Sequence, residues 1–258
     1  MAAAVRRPHL RVEKQLMRDG VTRLAAMDEV GRGALAGPVT VGVVVVTPDV
    51  RRVPAGLADS KLLTPQERQR LVAPVRRWVT EYAVGHAGPD EIDAIGIIAA
   101  LRLAGRRALA ALSGPVDAVL LDGNHNYLRE PAAAVAAAPV VESHPLFPIG
   151  SGMPDGSGPE AAPGSAPELA VHVRIKADMT CAAVAGASVL AKTERDAILT
   201  GLAPSYPAYG FAVNKGYGTP EHVAALREHG PSAVHRRSWR LPCGQELAGG
   251  DDVLVMTS

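Results

Sequence analysis

The sequence predicts an α/β domain on a mixed sheet, with helical additions toward its C-terminus. Three observations predict it. Short apolar and β-branched runs alternate with stretches of helical periodicity. The first two apolar runs are joined by too few residues for a crossover helix, so they pair antiparallel, while later runs are separated by helix-length segments. Of the 258 residues, 47% are hydrophobic and only 3% aromatic, so a sizeable core is built from Ala, Val and Leu. No internal repeat is visible.

Leu10, Val12, Leu16 and Met17 among charges predict a helix over 10–19 that stops at Gly20. Arg23 to Asp28 reads as the first strand and Val39 to Val46 as the second, nearly all valine and covered on both faces. Thr64-Pro65-Gln66-Glu67 combines a capping box with proline at the first helical position and opens a helix toward Arg77, with Pro74 placed to disturb its last turn. Trp78 to His86 alternates as a third strand, and Pro89 to Leu112 is a helix stopped by Ser113-Gly114-Pro115. Val116 to Leu121 is a buried strand ending in Asp122. From Pro131 to Pro167 the composition turns to Ala, Pro, Gly and Ser, and 150–167 reads as a flexible surface insertion. Leu169 to Lys176 is the fifth strand. Asp178 then opens a helix from Met179 to about Leu199, with a small-residue face, and Thr219-Pro220-Glu221 starts one more up to Gly230. The expected plan is an N-terminal segment 1–22, one α/β domain with its C-terminal helices over 23–240, and a frayed tail 241–258.

A formal net charge of +1 supplies no overall field for nucleic acid, so any basic footprint is local. The two cysteines lack the spacing of a zinc site or disulfide framework. The first residues, Met1 to His9, have no apolar core long enough for a secretory signal, and the longest valine run falls far short of the about 20 apolar residues of a spanning helix. A cytoplasmic protein without membrane association is expected.

The chemistry concentrates where acids end apolar segments. Asp28 and Glu29 are adjacent, followed by Gly31-Arg32-Gly33; neighbours in a strand face opposite ways, so for both to serve one site the backbone is expected to turn at this point, which Gly31 and Gly33 permit. Either the pair binds a metal beside a substrate-binding Gly-Arg-Gly, or it is an exposed acidic turn. Asp122 ends another apolar strand and Asp178 stands at a strand-to-helix junction. Asp196 competes with Asp178, but eighteen positions on one unbroken helix separate them by about 27 Å, so both cannot serve one cluster. Asp178 has the better position, and Asp196 has Lys192 one turn before it as a structural partner. An all-carboxylate set suits Mg²⁺ or Mn²⁺. Lys61 and Lys215 sit in turns with Ser60 and Gly216, where backbone amides can also face a phosphate. Tyr217, between two glycines, is either a flat contact to a sugar or base or a plain turn residue. Arg237 and Arg240 read as solvated charge.

Taken together, Met27 to Gly33, Asp59-Ser60-Lys61, Asp122-Gly123, Lys176-Ala177-Asp178, Ala187 to Lys192 with Arg195-Asp196, Lys215-Gly216-Tyr217 and His235-Arg236 resemble ribonuclease HII, in that family's order, over roughly Leu24 to Trp239. The resemblance implies a ribonuclease H-like fold with a five-stranded sheet. It implies an endonuclease that cuts the RNA strand of RNA–DNA hybrids and cuts at single ribonucleotides in duplex DNA, leaving 3′-hydroxyl and 5′-phosphate ends, in ribonucleotide removal from DNA. By position, Asp28, Glu29, Asp122 and Asp178 would be catalytic and bind two ions of Mn²⁺ or Mg²⁺. Gly31, Arg32 and Gly33 would contact the ribose 2′-hydroxyl, Tyr217 would pack on the junction sugar, and Ser60, Lys61 and Lys215 would contact phosphates. A monomer acting on hybrid and ribonucleotide-containing duplex is implied. Ala177, Trp239 and Leu62 depart from the commonest pattern, and none of these departures removes an acid.

Overall fold

Among the described residues, five strands make one mixed sheet in the order β3-β2-β1-β4-β5: β1 (Leu24–Val30), β2 (Val39–Val46), β3 (Glu81–Ala87), β4 (Ala118–Asp122) and β5 (Ala170–Arg174). The computed structural model describes residues 7–130 and 169–242, so the predicted insertion over 150–167 and all but the first two residues of the tail lie outside the described residues. β1, β2 and β3 form an antiparallel meander, and β4 and β5 extend it in parallel on the other side of β1. β2 is buried along its whole length, as a strand covered on both faces must be.

Alternation along β1 sorts two packed layers. Leu24 and Ala26 join the core beneath α2 (Pro65–Trp78) and α5 (Ala182–Leu202), whereas Ala25 and Met27 join the core beneath α3 (Pro89–Ala110). The small-residue face of α5 lets it lie almost on the sheet: a Cβ on Gly42 would fall 2.5 Å from the Ala187 carbonyl oxygen. Beyond the sheet, α6 (Phe211–Asn214) and α7 (Pro220–His229) close a third core of Tyr209, Phe211 and Leu226 against Leu199 and Ala36.

Several predicted elements are redrawn. β1 continues past Asp28 to Val30. α2 runs through Pro74 to Trp78, held by buried Val75 and by Trp78 Nε1 donating to the Arg51 carbonyl at 3.0 Å; the third strand therefore starts at Glu81 rather than Trp78. α3 breaks its helical path at Gly96, with φ 77 and ψ 161. The single helix expected after Asp178 is two: α4 (Ala177–Thr180), an extended Cys181, then α5. His9 causes the break, because its N–H donates to the Thr180 carbonyl and its own carbonyl accepts from Ala182, drawing Cys181 into a bridge. From α1 (Arg11–Arg18), the fully buried Glu13 accepts from the Ala183 N–H at 2.9 Å and so satisfies a free donor at the α5 N-terminus, while burial raises its carboxyl above the usual range.

Candidate active site

Parallel pairing sets Met27 level with Leu121, so the next residues, Asp28 and Asp122, stand side by side where the ladder ends. Asp122 accepts the Ala177 N–H at 2.6 Å, tying the strand end to α4, which carries buried Asp178. Glu29 lies inside β1 like Asp28, opposite Val41 as Asp28 is opposite Gly42. The turn expected at this stretch comes at Gly31, with φ +84, past both acids and the end of β1. Alternation sends Asp28 to the α5 side and Glu29 to the α3 side, where Tyr127 is buried. The parallel ladder to β4 ends at Met27, so both acids lie just past it, and the charge of Glu29 still acts on Asp28.

The acids repel one another. Burial, and then Glu29, Asp122 and Asp178, raise Asp28 well above the usual carboxylate range. Burial and then Asp122 raise Glu29, and burial and then Asp178 raise Asp122. Two cations oppose this: Arg32 lowers Glu29, and Lys61 has its Nζ 3.2 Å from Asp178 Oδ2. Glu29 Oε2 and the Tyr127 hydroxyl are buried with no hydrogen-bond partner among the described residues. A buried, donor-less carboxylate oxygen among like charges, in an all-oxygen donor set, fits a hard divalent cation. Among the described residues no three His, Cys, Asp or Glu side chains are closed into a metal-holding cluster. Instead Asp122 takes the Ala177 N–H, Asp178 takes Lys61, and Asp28 takes the Glu29 N–H at 2.9 Å. Asp196 stays out, paired with Lys192 at 2.8 Å and Arg68 at 3.6 Å.

Of the remaining predicted residues, Ser60 is turned inward: it is buried, its hydroxyl bonded to Ser188 at 2.8 Å, while Lys61 beside it reaches the acids. Lys215 adopts the left-handed region, with φ 52, and its Nζ donates to Thr200 Oγ1 and the Ala212 carbonyl. The Gly216 carbonyl accepts from Leu35 and Ala36, which docks the Tyr217 turn onto the loop that follows Gly-Arg-Gly. Arg32 and Gly33 are exposed, and Gly31 is buried against Arg195.

Two side chains to which no role was assigned from the sequence organise this region. Arg195, fully buried, donates to the carbonyls of Pro38, Ala36 and Lys215 at 2.9, 3.1 and 2.9 Å, and its guanidinium lies 5.1 Å from the centre of the Tyr217 ring. Arg236, also fully buried, donates to the carbonyls of Gly31, Arg32 and Gly37. Only Arg237 and Arg240 read as solvated charge in the sequence, and Arg236 entered only through the His235-Arg236 motif; the signal that could have found its burial is its place before the aromatic Trp239, which covers its guanidinium at 4.9 Å.

His235 and His222 complete the support. The Ser232 N–H can only donate, so His235 Nδ1 accepts; the Tyr217 carbonyl can only accept, so His222 Nδ1 donates. The remaining Nε2–Nε2 contact at 2.9 Å then runs from His235 to His222, with both rings neutral. Burial, with His222 alongside, pushes His235 down to about 4, and burial also lowers His222.

This five-stranded mixed sheet with flanking helices is the ribonuclease H type of architecture. It is shared with the ribonuclease H2 from Pyrococcus horikoshii OT3, at a TM-score of 0.59 and 23% identity over 86% of this chain and 95% of that one. It is also shared with Bst-RNase HIII in complex with Mn²⁺, at a TM-score of 0.54 and 16% identity over 86% of this chain and 68% of that one. The ribonuclease HII family model matches residues 25–144 and 160–241, and the chain belongs to that family. The ribonuclease HII of Streptomyces avermitilis is 44% identical over 220 residues, covering 85% of this chain and 78% of that protein. The chain is accordingly a hydrolytic endoribonuclease of the ribonuclease H type, from a divalent-metal-dependent family acting on RNA–DNA hybrids. No helix among the described residues is long and apolar enough to cross a membrane.

Proposed function

We propose that the protein cuts 5′ of single ribonucleotides embedded in duplex DNA, as well as within the RNA strand of hybrids, leaving 3′-hydroxyl and 5′-phosphate ends. It would act as a cytoplasmic monomer in ribonucleotide removal from DNA. The observation that carries this reading is the docking of the Tyr217 turn onto the loop after Gly31-Arg32-Gly33, next to the strand end that bears Asp28 and Glu29. Catalysis by two divalent ions does not by itself separate RNA from DNA, so the sugar must be read by neighbouring groups.

Asp28, Glu29, Asp122 and Asp178 would hold two Mg²⁺ or Mn²⁺ ions, which supply an activated water and stabilise the leaving 3′ oxygen. The exposed Arg32-Gly33 backbone of this loop can approach the 2′-hydroxyl, and Tyr217, held by the buried Arg195, would offer its ring to the adjoining sugar. Lys61, anchored over Asp178, would meet the phosphate being cut. Ser60 and Lys215 have inward or occupied side chains, so they serve this surface through the turns they build. The test is cleavage of a duplex carrying one ribonucleotide, in Mg²⁺ or Mn²⁺, beside the Asp122→Asn variant. Cutting 5′ of the ribonucleotide by the unmodified protein alone supports the reading. Binding without cutting, or cutting only within runs of ribonucleotides, overturns it.

A further inference from the structure

We propose that Arg236, with Arg195 beside it, is a positioning residue for ribose discrimination: it turns two carbonyls of the Gly-Arg-Gly loop inward so that two peptide N–H groups face the substrate. The inference rests on the loop being the reader of the 2′-hydroxyl.

Both guanidiniums are fully buried, and among the described residues neither forms an ion pair with a carboxylate. A buried charge without a counterion is tolerated only where oriented dipoles replace water. Here those dipoles are backbone carbonyls. Arg236 Nη2 donates to Gly31 O at 2.6 Å and to Gly37 O at 3.1 Å, Nη1 donates to Arg32 O at 2.9 Å, and Nε donates to Gly37 O at 3.2 Å. Arg195 takes the next carbonyls of the same loop, Ala36 and Pro38, and packs so closely under Gly31 that a Cβ there would lie 2.0 Å from its Nε.

The consequence follows from the trans peptide, in which the carbonyl of one residue and the N–H of the next point opposite ways. With the Gly31 and Arg32 carbonyls drawn onto Arg236, the N–H groups of Arg32 and Gly33 are aimed away from the core. Both residues are exposed, and among the described residues neither N–H has a hydrogen-bond partner. A pair of adjacent outward donors is suited to a hydroxyl oxygen. A lysine at 236 would keep the charge and lose the planar fork that fixes two peptide planes at once.

The test compares Arg236→Lys with the unmodified protein, measuring kcat and KM on a single-ribonucleotide duplex and the inhibition constant of the same duplex made entirely of DNA. Arg236→Lys is expected to raise KM on the ribonucleotide duplex at least about tenfold, toward the all-DNA inhibition constant, while that constant changes less than about twofold. A merely structural role would lower the active fraction, and with it kcat, and leave both constants where they were; that result overturns the proposal. Gly33→Pro, which deletes one of the two N–H groups, separates the two layers of inference. If Gly33→Pro leaves kcat/KM unchanged, the loop does not read the sugar and the underlying reading falls. If Gly33→Pro loses discrimination and Arg236→Lys does not, only the role of the arginine falls. Should Arg236→Lys fail to fold, Trp239→Leu keeps the guanidinium and removes only the ring over it; a rise in KM of about threefold is expected, and no rise overturns the proposal.

Discussion

Asp28 and Glu29 lie only a few residues before the loop that Arg236 grips, and the two regions are built on opposite electrostatic terms. At the acid edge, like charges are gathered, raised by burial and by one another, and one buried oxygen of Glu29 has no donor among the described residues. In the loop, each buried charge has been matched in advance: Arg195 and Arg236 lie against carbonyls, and the His235–His222 chain ends on the Tyr217 carbonyl. The difference teaches a division of labour. On the proposed reading, an edge that takes up cations would be left unsatisfied without them, and a surface that discriminates one hydroxyl would be fixed before substrate arrives.

The largest expected effect breaks the acid edge. Asp122→Asn should lower cleavage at least about a hundredfold, the scale on which even an outer partner of a metal ligand acts. Divalent cation at about one hundred times its dissociation constant should stabilise the unmodified protein by about 2.7 kcal/mol and this variant far less; calorimetry with and without Mg²⁺ checks it, and equal stabilisation of both would remove Asp122 from the site.

Next comes the loop. Gly31→Ala places a methyl against Arg195 at a left-handed φ of +84 and should cost about 1–3 kcal/mol of stability, whereas Gly33, with open space around it, should accept alanine within about 0.5 kcal/mol. Similar melting points for the two variants would refute the tight seat on Arg195. Tyr217→Ala should weaken cutting at a single ribonucleotide about tenfold more than cutting of a continuous hybrid, on the scale of one lost aromatic contact; equal losses on the two substrates would sink its role at the junction.

The smallest effect is the pH response, and here the two regions pull in opposite directions. His235 has its folded value near 4 against an ordinary 6.5, so the unfolded chain takes the proton first and stability falls as pH drops from 6.5 toward 4. Asp28, Glu29 and Asp122 have folded values above their ordinary ones, so the folded chain takes protons first and stability rises as pH falls through those values. In metal-free buffer, Asp28→Asn removes part of the second slope. Its melting temperature should therefore fall more steeply than that of the unmodified protein between pH 6.5 and 4, and parallel curves would contradict the raised value at Asp28.

Much of this was legible from residue order alone. The capping box at Thr64 is present, with its side chain accepting from Glu67, and the valine run is the fully buried β2. Asp178 rather than Asp196 joins the acids, and Asp196 pairs with Lys192 as its spacing suggested. The break at Cys181 was not legible, because it depends on a backbone bond to His9, far away in sequence. Nor was the inward turn of Ser60, which depends on Ser188.

By itself, the sequence determined the chemical inventory and its local settings: which acids end apolar runs, where glycines allow a turn, which segments are long enough to be helices. These depend on neighbours in the chain, and periodicity and turn chemistry report them. Only the tertiary structure decided that Asp28 and Glu29 leave one strand on opposite faces and still share an edge, and that Arg195 and Arg236 are interior groups rather than surface charge. The reason is physical: a strand end becomes a site only when a parallel neighbour and a crossing helix end beside it, and a charge is buried only when carbonyls from distant residues are aimed at it.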